Sequence, residues 1–303
     1  MTGVVLGLDV GGTKAHGALV GPDRTVHVEA KKSTVGRDPG LRATADLVTT
    51  LTLEAAARGL RITAVGAGFP EYVSPAGLLT STEVLDWTTQ PGDLLRELVP
   101  GVPVVVDSDV RCGALGELRR GAGGADFFYV SLGSGLSSVQ VSGGALRYGR
   151  RGEAIGLGEF VVPSDIDDDW RGSLEDYASG SGVAARYARA TGSEVPDGTR
   201  SVAARAAAGD DVARLILDTA GRAIGAALAQ VVAVLDPHAV ILGGGLGTAE
   251  TELQAALRAE LDWRTARRPD PPRLSVSELG PAAGLHGAVE LALDSVVDEK
   301  AVP

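Results

Sequence analysis

The stretch "LGLDVGGTKAHGALV" (residues 6–20) alternates apolar residues as a β-strand does, stops at two glycines and resumes after Lys14. This pattern predicts two short strands joined by a tight turn. A carboxylate, Asp9, stands close to the end of the first strand. Since an unpaired charge is costly to bury, an acid beside a glycine turn indicates a binding element as well as a structural one.

The order of predicted elements occurs twice along the chain. Residues 3–121 predict three strands followed by alternating helices and strands, and an apolar run, a glycine break and an alternating run restart at 125–144. The second copy carries an insertion at about 150–208. Such a repeat predicts two α/β lobes that face each other across a cleft. We expect an N-terminal lobe, a larger nucleotide-binding lobe and a C-terminal helix that returns to the first lobe, over residues 1–121, 122–281 and 282–303.

Composition excludes several classes of protein. The net charge of −11 over 303 residues argues against a surface that binds nucleic acid or an anionic membrane. One cysteine and four scattered histidines give no disulfide and no zinc site. The apolar run at 224–235 is too short to span a bilayer, and the N-terminus has no signal-peptide pattern. A cytoplasmic location is the expectation.

Glycine turns at 11–13 and 133–135 lie at matching points of the two copies. Backbone amides approach a phosphate closely where no Cβ intervenes. A third cluster, at 243–245, follows a strand and precedes a helix, where open α/β sheets place ligands. Asp9 would supply the hard oxygen that a magnesium–triphosphate needs. The residues predicted to bind ATP and Mg²⁺ are Asp9, Gly11, Gly12, Thr13, Lys14, Gly133, Ser134, Gly135, Gly243, Gly244 and Gly245.

Each glycine cluster also has a purely structural interpretation. The first two are compatible with ordinary hairpin turns, and the third with a helix cap. No Walker loop is present, and neither turn fits the Rossmann pattern between a strand and a helix.

Several segments together resemble the ROK family of sugar kinases and kinase-derived repressors. The resemblance covers nearly the whole chain and implies two ribonuclease-H-like lobes of the actin-like ATPase type, with mixed sheets flanked by helices. It also implies an ATP-dependent kinase acting on a sugar hydroxyl, and a homodimer. The segments that carry it, in order, are "LGLDVGGTK", "AVGAGFPEYVSPAG", "PVVVDSDVRCGALGE", "SLGSGLSS", "GEF", "GSLEDYASG" and "DPHAVILGGGL".

The expected catalytic base is Asp109, which follows a buried strand and starts a helix. Phosphoryl transfer to an alcohol needs an acceptor for the hydroxyl proton. The resemblance places Asp109 at the family's catalytic aspartate, with Ser108 in place of the preceding asparagine. A helix N-cap is the structural alternative for Asp109, and Asp107 is a competing base.

The acceptor pocket departs from the family pattern. The resemblance implies that Glu159 and Glu175 bind the substrate, whereas Val162 replaces a histidine and the zinc cysteines are missing. Because the base is kept and its surroundings change, we predict a sugar-like acceptor other than an ordinary aldohexose, for example a C7-cyclitol of the valiolone type. The residues predicted to contact the acceptor are Pro70, Glu71, Ser108, Asp109, Glu159 and Glu175.

Two alternatives remain open at this point, and a third is disfavoured. The chain could be a glucokinase-like kinase of hexoses or N-acetylhexosamines. It could also be a catalytically degenerate sensor of sugar or nucleotide, as the missing zinc ligands and Ser108 would allow. A repressor is disfavoured because the phosphate motif begins near residue 6 and the chain is acidic.

Overall fold

The computed structural model describes residues 2–34, 36–121 and 123–301, with side chains described up to residue 297. Packing divides the chain into two units. The first comprises residues 1–122, 146–155 and 282–303, and the second comprises residues 123–145 and 156–281. The expected lobe at 122–281 therefore differs at one segment, because residues 146–155 pack with the first unit.

Ten strands and ten helices occur in the described chain. The strands are Thr2–Val10 (β1), Lys14–Val20 (β2), Val26–Ser33 (β3), Leu60–Phe69 (β4), Val104–Ser108 (β5), Phe127–Leu132 (β6), Leu136–Ser142 (β7), Ala145–Leu146 (β8), Ala239–Gly243 (β9) and Arg273–Val276 (β10). The helices are Arg42–Ala57 (α1), Pro91–Leu98 (α2), Asp109–Arg120 (α3), Leu174–Ala178 (α4), Gly180–Thr191 (α5), Thr199–Ala207 (α6), Asp211–Leu235 (α7), Gly244–Gly247 (α8), Glu252–Thr265 (α9) and Ala283–Ala301 (α10).

The sheet of the first unit has the strand order β3-β2-β1-β4-β5. The first three strands are antiparallel neighbours, while β1, β4 and β5 run parallel. Asp9 is in register with Gly68, and Gly68 with Asp107. The carboxyl ends of the three parallel strands therefore bring Asp9 and the β5–α3 junction to one edge of the sheet.

Helix α10 packs directly on this sheet because glycines face it. A Cβ on Gly66 would lie 2.0 Å from the Ala288 carbonyl oxygen, and one on Gly7 would lie 2.5 Å from Val289. Any larger residue would force the helix off the strands. Val289 and Leu285 join a buried apolar cluster at this contact.

The second unit repeats the plan with the strand order β10-β9-β6-β7-β8. Strands β6, β9 and β10 are parallel, and β6–β7 is an antiparallel hairpin. Helix α7 is the one helix in the described chain that is long and apolar enough to cross a membrane, yet 67% of its most apolar 18 residues are buried. Burial inside the unit explains its apolar sequence, because a helix buried in a core carries no wide polar face.

Local sequence determines where helix α9 begins. It begins at Glu252, because the Thr251 side chain accepts a hydrogen bond from the Gln254 amide and caps it there. The chain between 244 and 247 forms the separate short helix α8. The insertion at 150–208 contains α4, α5 and α6.

Candidate active site

The β5–α3 junction places Asp109 against the end of β4. A Cβ on Gly68 would lie 3.2 Å from the Asp109 Cα and 2.9 Å from the Cys112 sulfur. Glycine at 68 is thus required for the first turn of α3 to sit on the strand. Pro70 directly follows β4 at the same edge of the sheet.

Asp109 is the first residue of α3, and Ser108 is the residue that caps this helix. The Ser108 Oγ accepts a hydrogen bond from the Arg111 amide at 3.4 Å. The Asp109 carboxylate accepts one from the Val110 amide at 2.6 Å. Burial raises the pKa of Asp109 to about 7, with further upward contributions from the negative charges of Asp9 and Glu71. Because Ser108 caps the helix, the interpretation of Asp109 as the N-cap is wrong. With a pKa of about 7, the Asp109 carboxyl group changes its protonation state near neutral pH.

Asp107, the competing base, is already engaged in hydrogen bonds within the protein. Its carboxylate accepts hydrogen bonds from the Ser108 amide at 2.8 Å, from the Tyr148 hydroxyl at 2.7 Å and from the Arg111 Nε. Asp107 and Arg111 are both buried. Burial beside Asp107 raises the pKa of the Tyr148 hydroxyl, which keeps it protonated as a donor. These three hydrogen bonds occupy the Asp107 carboxylate and leave little of it free to contact a substrate hydroxyl.

Asp9 has few compensating neighbours. Burial raises the pKa of Asp9 to about 6, and the positive charge of Lys14 offsets this only in part. A Cβ on Gly284 would lie 2.6 Å from an Asp9 carboxylate oxygen, so a glycine at the start of α10 leaves space for the carboxylate. A nearby cation would stabilise its ionised form.

A magnesium ion that arrives with a triphosphate fits this carboxylate. The described residues contain no group of three or more His, Cys, Asp or Glu able to hold a metal by themselves. Magnesium in phosphate-binding sites is held by one or two carboxylates together with phosphate oxygens and water. Asp9 offers a single hard oxygen donor of this kind at the strand end.

Glu71 does not have the role that the sequence indicated. Its two oxygens accept hydrogen bonds from the Ser81 hydroxyl at 2.5 Å and from three backbone amides at 2.8 to 2.9 Å. The side chain is only 4% exposed. The geometry contradicts direct binding of an acceptor by Glu71, because these four donors occupy its carboxylate. The amides that it accepts from belong to residues 83–85.

The first glycine turn is a closed hairpin. The Gly11 amide donates to the Lys14 carbonyl at 2.9 Å, and the Thr34 hydroxyl donates to the Gly11 carbonyl at 2.6 Å. A Cβ on Gly12 would lie 2.9 Å from the Val84 side chain. Among the backbone hydrogen bonds of turns and loops in the described chain, none has the amide of Gly12 or Thr13 as its donor. The turn therefore offers fewer amides than its glycines indicated, since that of Gly11 is used.

The second glycine turn is hydrogen-bonded to the start of α5 and has open space beside Gly133. The Gly133 amide donates to the Gly135 carbonyl at 3.0 Å, while its carbonyl accepts from Gly180 at 2.8 Å and that of Ser134 accepts from Ser181 at 3.0 Å. A Cβ on Gly133 would meet nothing within 4 Å, and its φ is not in the left-handed region. No contact or torsion in the described chain thus requires glycine at 133. A side chain at 133 would extend into open space.

The third cluster lies beside the second turn. Ser131 of β6 is in register with Gly243 of β9, and a Cβ on Gly244 would lie 2.4 Å from the Leu132 carbonyl. Gly244 also has a φ of 76°, which favours glycine. Gly245 has neither constraint, and a Cβ there would meet nothing within 4 Å. The structure therefore brings two predicted nucleotide elements together at the carboxyl ends of β6 and β9.

The two predicted acceptor glutamates of the second unit differ in environment. Glu175, in the first turn of α4, accepts a hydrogen bond from the Leu136 amide at 2.6 Å and lies against Gly135. It therefore belongs to the second glycine turn. Glu159 is exposed in a short 3₁₀ turn. Val162, at the place of the family histidine, is buried in the core of this unit.

Sequence reasoning missed Arg111 and Tyr148. Arg111 is fully buried, and its guanidinium lies 4.6 Å from the centre of the Tyr148 ring. One signal was present: a charged residue within the apolar first turns of a helix that leaves a buried strand needs a buried partner.

Comparison with known proteins assigns the chain to a family. The sequence pattern of the ROK family matches residues 5–295. The protein belongs to the ROK family. It is 31% identical to the glucokinase of Streptomyces coelicolor over 96% of this chain and 98% of that protein. It is 32% identical to the bifunctional enzyme NanE/NanK of Brucella melitensis over 95% of this chain, but spans only 54% of that enzyme.

Solved structures of ROK proteins share this fold. A ROK family glucokinase from Streptomyces griseus, in complex with glucose and AMPPNP, superposes with a TM-score of 0.78 at 29% identity, over 96% of this chain and 99% of that one. A ROK hexokinase from Thermus thermophilus gives 0.78 at 27% identity, over 98% and 99%. The predicted fold of two mixed sheets flanked by helices, of the actin-like sugar kinase type, is confirmed. The predicted phosphotransferase class agrees with the names of these ROK relatives.

Proposed function

We propose that this protein is an ATP-dependent kinase that phosphorylates a primary hydroxyl of a sugar or a sugar-like polyol. The observation that carries the proposal is Asp109, a buried carboxylate with a pKa of about 7 at the start of α3, where Ser108 has taken over the capping role. General bases work best when their pKa lies near the operating pH. The sugar kinases among the relatives support the same reaction class.

In this reaction Asp109 accepts the proton of the acceptor hydroxyl. The hydroxyl oxygen forms a bond to the γ-phosphorus of ATP, the bond from that phosphorus to the bridging oxygen breaks, and ADP leaves. We assign the amides of Ser134 and Gly135 and the open faces of Gly133 and Gly245 to the nucleotide. Gly12, Thr13 and Lys14 are assigned to its phosphates, whereas Gly243 and Gly244 shape the turn beside them.

Asp9 would hold magnesium together with the phosphates of ATP. The ion, when bound, offsets charge on the triphosphate. Asp9 keeps its oxygen at the end of β1, where Gly284 leaves it space. Its pKa of about 6 indicates that the carboxylate is ionised above neutrality even without the ion.

For the acceptor we propose a sugar-like polyol, with a C7-cyclitol of the valiolone type as the specific candidate. Two observations support an acceptor pocket that differs from the family pattern. Val162 is an apolar residue buried in the core, and the Glu71 carboxylate accepts hydrogen bonds from the amides of residues 83–85. Pro70, Ser108 and Glu159 stay as proposed neighbours of the acceptor. A site that hydrogen-bonds a hydroxyl discriminates strongly against analogues that lack it.

A hexose or N-acetylhexosamine is the second candidate acceptor. The Streptomyces coelicolor glucokinase and the N-acetylmannosamine kinase of Escherichia coli, 25% identical over 81% of this chain, favour it. Both candidates use the same base and the same nucleotide elements. They differ only in which side chains face the ring of the acceptor.

A coupled assay of ADP formation tests both candidates. Purified protein is given Mg·ATP and, one at a time, glucose, mannose, N-acetylmannosamine, N-acetylgalactosamine and a valiolone-type cyclitol. Turnover with the cyclitol at least tenfold above that with any hexose supports the first candidate, and the reverse supports the second. Absence of acceptor-dependent ADP formation with the whole panel contradicts the kinase proposal and favours a sensor.

The predicted homodimer and the cytoplasmic location are part of the same proposal. The resemblance to ROK proteins supports both. Light scattering at micromolar concentration measures the assembly directly. A mass near 31 kDa would contradict the dimer, since one chain has a mass of 30.8 kDa.

A further inference from the structure

Arg111 joins three separate segments of the first unit. Its Nε donates to Asp107 of β5, one terminal nitrogen donates to the Gly152 carbonyl at 2.8 Å, and the other donates to the Val73 carbonyl at 2.5 Å. The residue has no exposed surface. A single guanidinium thus ties β5 and α3 to the loop after β4 and to the segment 146–155.

The partners of Arg111 are arranged around it. Gly152 has a φ of 86°, and a Cβ there would lie 2.1 Å from the Val73 carbonyl, so glycine brings the two accepting carbonyls side by side. The Tyr148 ring lies against the guanidinium and its hydroxyl donates to Asp107 at 2.7 Å. The segment 146–155 is therefore fastened at two points, by Tyr148 and by Gly152.

Two members of the Arg111 network flank the proposed base in the sequence. Asp107 lies two residues before Asp109 and Arg111 two residues after it, and both side chains are locked in the same network. The Val73 loop begins just after Pro70, which we assign to the acceptor side. A planar guanidinium satisfies three acceptors in fixed directions, which a lysine ammonium on a flexible stem does not reproduce.

We propose that Arg111 is a positioning residue that fastens the segment 146–155 and the loop at Val73 around the Asp109 carboxylate, and so assembles the acceptor side of the site. This inference rests on the proposed kinase function. It assigns the segment 146–155 to acceptor recognition, although that segment interrupts the second unit in the sequence. The nucleotide elements of the second unit are not part of this network.

Limited digestion with trypsin tests the anchoring without relying on activity. Arg147, Arg150 and Arg151 are exposed within the segment and are trypsin sites. In Arg111→Lys we expect cleavage at these three sites, mapped by mass spectrometry, to be at least tenfold faster than in the wild type, with cleavage after Arg58 unchanged. Tyr148→Phe keeps the ion pair and removes one anchor, and should give a smaller increase at the same sites.

Arg24→Gln is the matched control. Arg24 is a half-exposed arginine of the same unit that pairs with the buried Glu290 at 2.7 Å. This variant loses an ion pair without touching the Arg111 network, so cleavage at 147–151 should change by no more than twofold. Equal acceleration at all trypsin sites in Arg111→Lys, or a rate matching that of Arg24→Gln, would overturn the anchoring.

Kinetics then test the positioning role. For Arg111→Lys we expect kcat/KM for the acceptor to fall at least tenfold, with KM for ATP within twofold of the wild type and Arg24→Gln close to the wild type in both. A parallel rise in KM for ATP, or an unchanged acceptor efficiency, would overturn it. Failure of the wild type to phosphorylate any acceptor would instead count against the kinase function, while the digestion still reports on the anchor.

Discussion

The two glycine turns have the same backbone plan but carry different chemistry. In the first unit, the strand before the turn bears Asp9 two residues ahead of Gly11. In the second unit, the matching residue two ahead of Gly133 is Ser131. The first turn is held by Thr34, which follows β3, whereas the second is held by the start of α5 and by Glu175.

Under the proposed function, this difference would divide the tasks of the kinase between the two units. The first unit contributes titratable oxygens: burial raises the pKa of Asp9 to about 6 and of Asp109 to about 7. The second contributes backbone amides and glycines with open faces at 133 and 245. The proposal thus gives the two repeats of one fold different tasks: the first would supply the base and the magnesium ligand, and the second most of the contacts to the nucleotide.

The largest expected effect comes from replacing the proposed base. Asp109→Asn should lower kcat about 10³-fold, because a positioned general base contributes on the order of 10²–10⁴. KM for ATP should stay within threefold of the wild type. Steady-state kinetics on the best acceptor measure both quantities. The variant should be at least as stable as the wild type, because burial disfavours the charge that it removes. Retention of wild-type kcat would refute the assignment of the base.

Asp9→Asn should have the next largest effect. We expect kcat/KM for Mg·ATP to fall about 100-fold, since a neutral amide is a weaker oxygen donor to magnesium than a carboxylate. Titration of activity against free Mg²⁺ checks the cause, because the variant should need more of the ion for half-maximal rate. An unchanged magnesium requirement would contradict the assigned role of Asp9, as would full wild-type activity after exhaustive chelation.

A smaller effect is expected from Gly133→Ala in the second glycine turn. The added methyl meets no protein atom within 4 Å, so the melting temperature should not change, but KM for ATP should rise about tenfold through loss of roughly 1.4 kcal/mol of binding. Gly244→Ala is the contrasting variant. Its φ of 76° and the nearby Leu132 carbonyl should make it less stable. Identical behaviour of the two variants in calorimetry and kinetics would show that the open face of Gly133 is not a ligand site.

The smallest effect is the pH dependence of stability. Asp9 and Asp109 hold protons more tightly in the folded chain than in the unfolded one, so stability is lost as the pH rises from about 4 through their folded pKa values of about 6 and 7. The double variant Asp9→Asn/Asp109→Asn lacks this loss. Its melting temperature relative to the wild type should increase by about 6 °C between pH 5 and pH 8. A constant difference across this range would contradict the raised pKa values.

The sequence predicted the strands and most helices because their periodicity is strong in both copies. It also singled out Asp9, Asp109 and the three glycine clusters as candidate site residues, since turn residues at strand ends are local features. It did not find the role of Glu71, whose four donors come from residues 81–85, or the joining of residues 146–155 to the first unit by Arg111. Such contacts depend on side chains that meet only after the chain has folded.

Backbone amide chemical shifts on addition of Mg·AMPPNP to isotope-labelled protein test the division between the units most directly. We expect the amides of Ser134, Gly135 and Gly245 to shift strongly without any acceptor present. We expect the same shifts in Asp109→Asn. Saturating nucleotide that leaves these three amides unmoved would contradict the assignment of the second unit to the nucleotide.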